Sequence, residues 1–119
     1  MITTIYHNPR CSKSRQTLQL LNDKAVKAEI IEYLKTPPGA DEIKHILKLL
    51  NKSPRDIMRT HEAEYKENKL SDPDLSDEQL IAAMIKFPKI IERPIVVVEK
   101  DGLTKAVMGR PPENVLDII

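Results

Sequence analysis

Apolar residues fall along this chain in short runs and in stripes of helical spacing, and the change from one to the other lays out the elements. Ile2 to Tyr6 reads as a short strand, and His7-Asn8-Pro9-Arg10 ends it with turn chemistry. From Ser12 the pattern turns helical: Thr17, Leu18 and Leu21 make a stripe, with Lys13, Arg15, Gln16 and Gln19 mostly off it. Ala28–Tyr33 reads as a second strand, closed by Thr36-Pro37-Pro38-Gly39. A strand–helix–strand unit of about thirty residues has the length of a right-handed βαβ crossover, so the two strands are expected to run parallel.

The middle of the chain is helical in pattern. Ile43, Ile46, Leu47 and Leu50 fall on one face. Ser53-Pro54-Arg55-Asp56 carries the signals of an N-cap, a proline in the first turn and an acidic third residue, and predicts a short helix reaching Arg59. Ser76 and Gln79 form a capping box before Leu80, Ile81, Met84 and Ile85, and Pro88 ends that helix. Pro94–Val98 is a continuous apolar run of the kind found in fully buried strands. Asp101-Gly102 turns it back into a shorter partner near Lys105–Met108. Residues 112–119 predict a terminal helix with Val115, Leu116 and Ile119 inward. The order is βαβ, helices, ββα. It predicts one α/β domain over 1–119: a thioredoxin-like core, about 1–37 and 90–119, with a helical insertion after the second strand, about 38–89.

Composition narrows the function classes. The chain has 119 residues, 40% hydrophobic and 31% charged, which is enough to bury a core. With 19 basic and 18 acidic side chains the formal net charge is +1, so no long-range basic field attracts a polyanion. Tyr6, Tyr33, Tyr65 and Phe87 are the only aromatics available for base stacking, and nucleic acid is not expected as a direct partner. No stretch approaches the roughly 18 apolar residues of a membrane span, and the N-terminus lacks signal-peptide character. The single cysteine cannot form an internal disulfide, so a cytoplasmic location is expected. His45 and His61 have no metal-ligand spacing to each other or to Cys11, and no metal site is expected.

That cysteine, Cys11, stands where the first strand gives way to the first helix, in the stretch Pro9-Arg10-Cys11-Ser12-Lys13-Ser14-Arg15. A helix start carries about half a positive charge from its unpaired N–H groups and favours an anion. A thiol there, flanked by Arg10, Lys13 and Arg15, is expected to have a lowered pKa and to act as a thiolate. The polar setting argues against a cysteine serving as a small buried hydrophobe. Cys11 to Ser14 has the spacing of a C-x-x-C redox motif, with a hydroxyl where the resolving sulfur would stand. Ser14 is expected to donate a hydrogen bond to the thiolate. It cannot form a disulfide, so an outside thiol must release any bond that Cys11 makes.

Three segments, Ile5–Leu18, Ile91–Val97 and Gly109–Ile119, resemble in order and spacing the glutaredoxin-coupled arsenate reductase family, and the likeness runs from about Ile2 to Ile119. The resemblance implies a thioredoxin fold with a helical insertion and a cysteine nucleophile at Cys11. It also implies three oxyanion-binding arginines, matched by Arg59, Arg93 and Arg110, and a histidine before the loop, matched by His7. Its implied partners are arsenate, glutathione as co-substrate and glutaredoxin as final reductant, with no bound cofactor.

The need for arginines has its own physical basis. A thiolate attacking anionic arsenate brings like charges together, and at about 4 Å and an effective dielectric near 20 one pair repels by about 4 kcal/mol. Guanidinium groups stay charged and grip a tetrahedral oxyanion with forked donors. Each arginine has a plainer reading: Arg59 complementing a helix dipole, Arg93 and Arg110 as solvated loop charges. His7 either tunes Cys11 or bonds to a loop carbonyl. Pro94 matches the cis proline that thioredoxin-fold proteins place beside the active cysteine, so a cis Arg93–Pro94 bond is expected.

Two other functions fit the same chain less closely. A redox-sensing transcription regulator that binds RNA polymerase would carry a C-x-x-C pair, where this chain has C-x-x-S. A glutathione-linked thiol enzyme with another substrate would use the same machinery, and Arg10 and Lys13 are the basic residues by which this chain departs from the best-known arsenate reductases.

Overall fold

The computed structural model describes residues 1–119, which divide into two compact units. One is Met1–Thr36 with Arg93–Ile119; the other is Pro37–Glu92.

The first unit is built on a four-stranded sheet of β1 (Ile2–His7), β2 (Ala28–Glu32), β3 (Ile95–Lys100) and β4 (Leu103–Met108), in the order β2-β1-β3-β4. Helix α1 (Ser12–Asp23) connects β1 to β2, which lie parallel with Ile5 opposite Ile30. Strand β3 runs antiparallel to β1, placing Val96 opposite Ile5. Strands β3 and β4 form a hairpin whose turn residues have φ of 54° at Asp101 and 76° at Gly102. Two successive positive φ values in a two-residue loop match the twist of a hairpin, which is why Asp-Gly works there.

The core of this unit joins Ile5, Val96 and Val98 of the sheet to Leu21 of α1, Val26 and Val115. Ile5, Leu21, Val96 and Val115 are fully buried, and each such side chain is worth about 1.5–3 kcal/mol relative to exposure. Val96 and Val98, alternate residues of β3, therefore meet Leu21 of α1 on one side of the sheet. This holds the end of β1, the start of α1 and the approach to β3 in fixed places.

The second unit contains α2 (Ala40–Leu50), α3 (Ala63–Glu67) and α4 (Asp77–Lys86), with 3-10 turns at Pro54–Ile57 and Pro88–Ile90. Helix α2 buries Ile43, Ile46 and Leu47, and α4 buries Leu80, Ile81 and Met84. The Ser76–Gln79 box is formed: Gln79 N–H donates to Ser76 Oγ at 3.2 Å, and Ser76 N–H donates to Gln79 Oε1 at 2.8 Å. No helix is long and apolar enough to cross a membrane.

The thioredoxin-like α/β architecture with helices inserted after the second strand is the one expected, but four local details differ. The turn at Ser53 yields a 3-10 stretch that stops at Ile57, short of Arg59. Met58 is extended instead, because it bridges to Ile91, with Glu92 N–H on Ile57 O and Arg59 N–H on Ile90 O, both at 2.7 Å. Helix α3 has no counterpart in the apolar pattern, because Tyr65 is its single buried residue. Residues Pro112–Asp117 form a 3-10 helix, and on its three-residue repeat Val115 is buried while Leu116 is exposed. On α1 Thr17 and Leu21 are buried as expected, but Ser14 is buried with them while Leu18 is only partly so.

Candidate active site

Cys11 is the N-cap residue of α1, at the end of a turn closed by its own N–H on Asn8 O at 3.0 Å. Asn8 shapes this turn further, since its side-chain oxygen accepts the Arg10 N–H at 3.0 Å. The thiol is half-buried. Burial by itself raises its pKa; the backbone N–H of Ser14, the Arg93 guanidinium and the backbone N–H of Lys13 face the sulfur and outweigh burial, leaving the thiol below its ordinary value. Cys11 stands at the N-cap position of α1, where the Ser14 and Lys13 amides favour the anion without a side-chain cap hydrogen bond of ordinary geometry.

Arg93 and Arg110 reach the same place from two other turns. Arg110 Nη1 lies 3.9 Å from Cys11 Sγ and donates to Arg93 O at 3.3 Å. Both arginines precede cis prolines, Arg93–Pro94 as expected and Arg110–Pro111 in addition. Arg93 Nε is buried without a hydrogen-bond partner in the protein.

The hydroxyl of Ser14 is engaged elsewhere. It accepts the Asn8 backbone N–H at 3.0 Å and lies 2.6 Å from His7 Nδ1, and the side chain has no exposed surface. The expected Ser14 hydroxyl-to-thiolate bond is therefore replaced by a backbone contact: the Ser14 N–H faces the sulfur, while its side chain turns inward. The geometric reason is that a residue three positions past an N-cap presents its amide to the cap side chain. His7 is 5% exposed. Burial holds its pKa below the ordinary value, with Glu32 opposing and Arg15 assisting. Its hydrogen bond is to a side chain, Ser14, and not to a loop carbonyl.

Arg59 belongs to the other unit. Its Nε donates to Glu62 at 3.2 Å and its Nη1 to Glu92 at 2.8 Å. Two of the three arginines are thus gathered at the thiol within one unit, and the third is forked between two carboxylates.

Several residues that hold this geometry were not singled out from sequence. Gly109 N–H donates to Pro94 O at 2.9 Å, and Thr17 Oγ1 donates to Gly109 O at 3.2 Å and to Lys13 O at 2.8 Å. Asn114 Nδ2 donates to Met108 O at 3.0 Å and to Arg110 O at 3.3 Å. These bonds tie the turn carrying Arg110 to the turn carrying Arg93 and to the first turn of α1. The one available signal was the glycine directly before Arg110, whose role needs the neighbouring strands to be seen.

Two measurable consequences arise here. The first is that Cys11 titrates below the free-thiol value of about 8.5, as read from thiolate absorbance near 240 nm; a midpoint at or above that value contradicts the site described. The sign is that of an acid whose anion is favoured, so reaction with an alkylating reagent should rise with pH through the lowered midpoint. The second concerns Gly109, where a Cβ would stand 2.7 Å from Pro94 Cγ and 2.7 Å from Thr17 Oγ1. Gly109→Ala is expected to cost about 1–3 kcal/mol by overpacking and to displace Arg110. Melting curves and the Cys11 titration together check this, and an unchanged melting temperature rules out the tight approach.

Comparison with known proteins places the geometry in context. The ArsC family model matches residues 6–118. The chain is 52% identical over 116 residues to the Escherichia coli protein named uncharacterized protein YfgD, covering 97% of this chain and 94% of that one. It is 44% identical over 112 residues to the arsenate reductase of Neisseria meningitidis serogroup A, covering 93% and 92%. The structure of the arsenate reductase from Vibrio cholerae superposes with a TM-score of 0.93 at 48% identity, covering 100% of this chain and 98% of that one.

Proposed function

The chain belongs to the ArsC family, and from that premise we propose that it reduces arsenate to arsenite, with Cys11 as nucleophile and glutathione and glutaredoxin as outside reductants. The observation that supports this most directly is the meeting of a favoured thiolate with the Arg93 guanidinium, whose buried Nε has no partner in the protein. An oxyanion beside Cys11 supplies an acceptor for that N–H. Arg110, 3.9 Å from the sulfur, adds a second forked cation. Charge-assisted bonds of this kind are worth about 1.5–3 kcal/mol each, so two of them offset the roughly 4 kcal/mol repulsion between thiolate and arsenate.

Cys11 Sγ forms a bond to arsenic(V), and one oxygen leaves as water. The thiol of glutathione then displaces a second oxygen, also as water, and joins arsenic through its sulfur. The glutaredoxin thiolate attacks that glutathione sulfur; a mixed disulfide forms, and the electron pair of the broken As–S bond stays on arsenic, now arsenic(III). Water finally cleaves the Cys11–arsenic bond, freeing arsenite and the thiol. Both electrons come from thiols, so the scheme uses no bound cofactor. His7 takes no direct part: it braces Ser14, whose amide faces the sulfur.

A coupled assay tests the reading: NADPH oxidation is followed with glutathione, glutathione reductase, glutaredoxin and the protein, with and without arsenate. Arsenate-dependent oxidation, matched by arsenite formed, is expected. Its absence, while the coupling enzymes still reduce a simple disulfide, overturns the assignment.

A further inference from the structure

We propose that Arg10 and Lys13 form the recognition site for the reducing thiol and select one that carries carboxylates. This rests on the preceding reading, that a Cys11 adduct is resolved from outside. Cys11 is the only cysteine, so the resolving sulfur must arrive across the exposed rim of the thiol.

The chain segments around the sulfur are mostly basic, with Glu32 of β2, opposite His7, as the acidic neighbour. The segments bordering the sulfur, Met1–Leu21, Arg93–Val98 and Met108–Pro112, contain no Asp or Glu and carry Arg10, Lys13, Arg15, Arg93 and Arg110. Three of these cations are in use. Arg93 faces the sulfur, Arg110 contacts the sulfur and Arg93 O, and Arg15 Nη1 donates to Pro9 O at 3.0 Å. The side chains of Arg10 and Lys13 are exposed and make neither a hydrogen bond nor an ion pair within the protein.

Their backbones are nevertheless fixed at the thiol. The Arg10 N–H is bonded to Asn8 Oδ1, and the Lys13 N–H faces Cys11 Sγ. Arg10 directly precedes Cys11 and Lys13 stands two residues after it, so an exposed cationic side chain leaves the backbone on each side of the thiol. Glutathione carries its thiol at the centre and a carboxylate toward each end, so a sulfur aimed at Cys11 sends a carboxylate to each side. Neither side chain contributes to the favoured thiolate, which depends on the Ser14 and Lys13 amides and on Arg93. Arg10 and Lys13 thus serve the second substrate and not the first. Exposed ion pairs are individually weak, so the two together are expected to change KM about three- to tenfold, and less at high ionic strength.

The test measures arsenite formation by the intact enzyme at fixed glutaredoxin, varying either glutathione or its diethyl ester, in which both carboxylates are masked. The wild type is compared with Arg10→Gln, Lys13→Gln and the double variant. For the wild type, KM for glutathione is expected to be about three- to tenfold below that for the ester. In the double variant this gap should close to less than about twofold, with arsenate KM and the Cys11 titration unchanged. Equal use of both thiols by the wild type, or an unaltered gap in the double variant, overturns the proposal. A rise in arsenate KM alone also overturns it, because these cations then belong to the oxyanion. A wild type that forms no arsenite with either thiol overturns the arsenate reading itself, a result distinct from the others.

Discussion

Cys11→Ser is expected to lower kcat/KM for arsenate at least about a thousandfold, the largest effect of any single substitution in this chain. The amides of Ser14 and Lys13 and the Arg93 guanidinium stay in place, so the oxyanion still has its cations. What is lost is the nucleophile. A serine hydroxyl stays protonated at neutral pH, whereas the Ser14 and Lys13 amides and the Arg93 guanidinium hold the Cys11 thiol below its ordinary pKa. Steady-state kinetics measures this, with arsenite quantified directly. Retention of more than about a tenth of the wild-type rate would falsify the assignment of Cys11 as nucleophile. The wild type without added thiol should likewise fail to turn over, since one cysteine cannot close a disulfide within the chain. Sustained arsenite release in the absence of any thiol would require another source of two electrons.

The second large effect is expected at the arginines that meet the sulfur. Arg93→Lys and Arg110→Lys keep a positive charge but lose the planar fork, and each should reduce kcat/KM for arsenate about tenfold or more. Arg93 should be the more sensitive, because its Nε is already shielded from water and a lysine has no donor to place there. Melting temperature should change little for either. Two arginines of the other unit give the contrast. Arg55 donates to Leu70 O at 2.7 Å and also to Asp72 O, so Arg55→Lys is expected to lower the melting temperature while leaving kcat/KM intact well below it. Arg59 binds Glu62 and Glu92, and Arg59→Lys should lower the melting temperature by about 3–5 °C through the loss of that fork. Its kcat/KM, measured at a temperature where the variant is folded, decides whether it also serves the oxyanion. Equal losses at Arg93, Arg110 and Arg55, or losses that track unfolding, would show that the first two do not form the substrate site.

By itself, the amino-acid sequence determined the features that depend on neighbours in the chain. The βαβ crossover, the Asp101-Gly102 hairpin and the Ser76–Gln79 box follow from local period, turn chemistry and capping, and the structure contains all three. The position of Cys11 at a helix start was equally local, since the amides that face its sulfur lie two and three residues on. Other features were decided by tertiary structure. Arg59 and Arg93 each sit in loops with several possible uses, and only the folded chain shows one bound to two carboxylates and the other at the thiol. Ser14 is a polar residue whose hydroxyl could face outward or inward; the buried His7 ring and the Asn8 amide turn it inward. Thr17 and Gly109, which are 92 residues apart, meet because β4 returns the chain to the second turn of α1. No periodicity encodes that meeting: a close backbone approach appears in sequence only as a missing Cβ, and its purpose is set by whatever the fold brings against it.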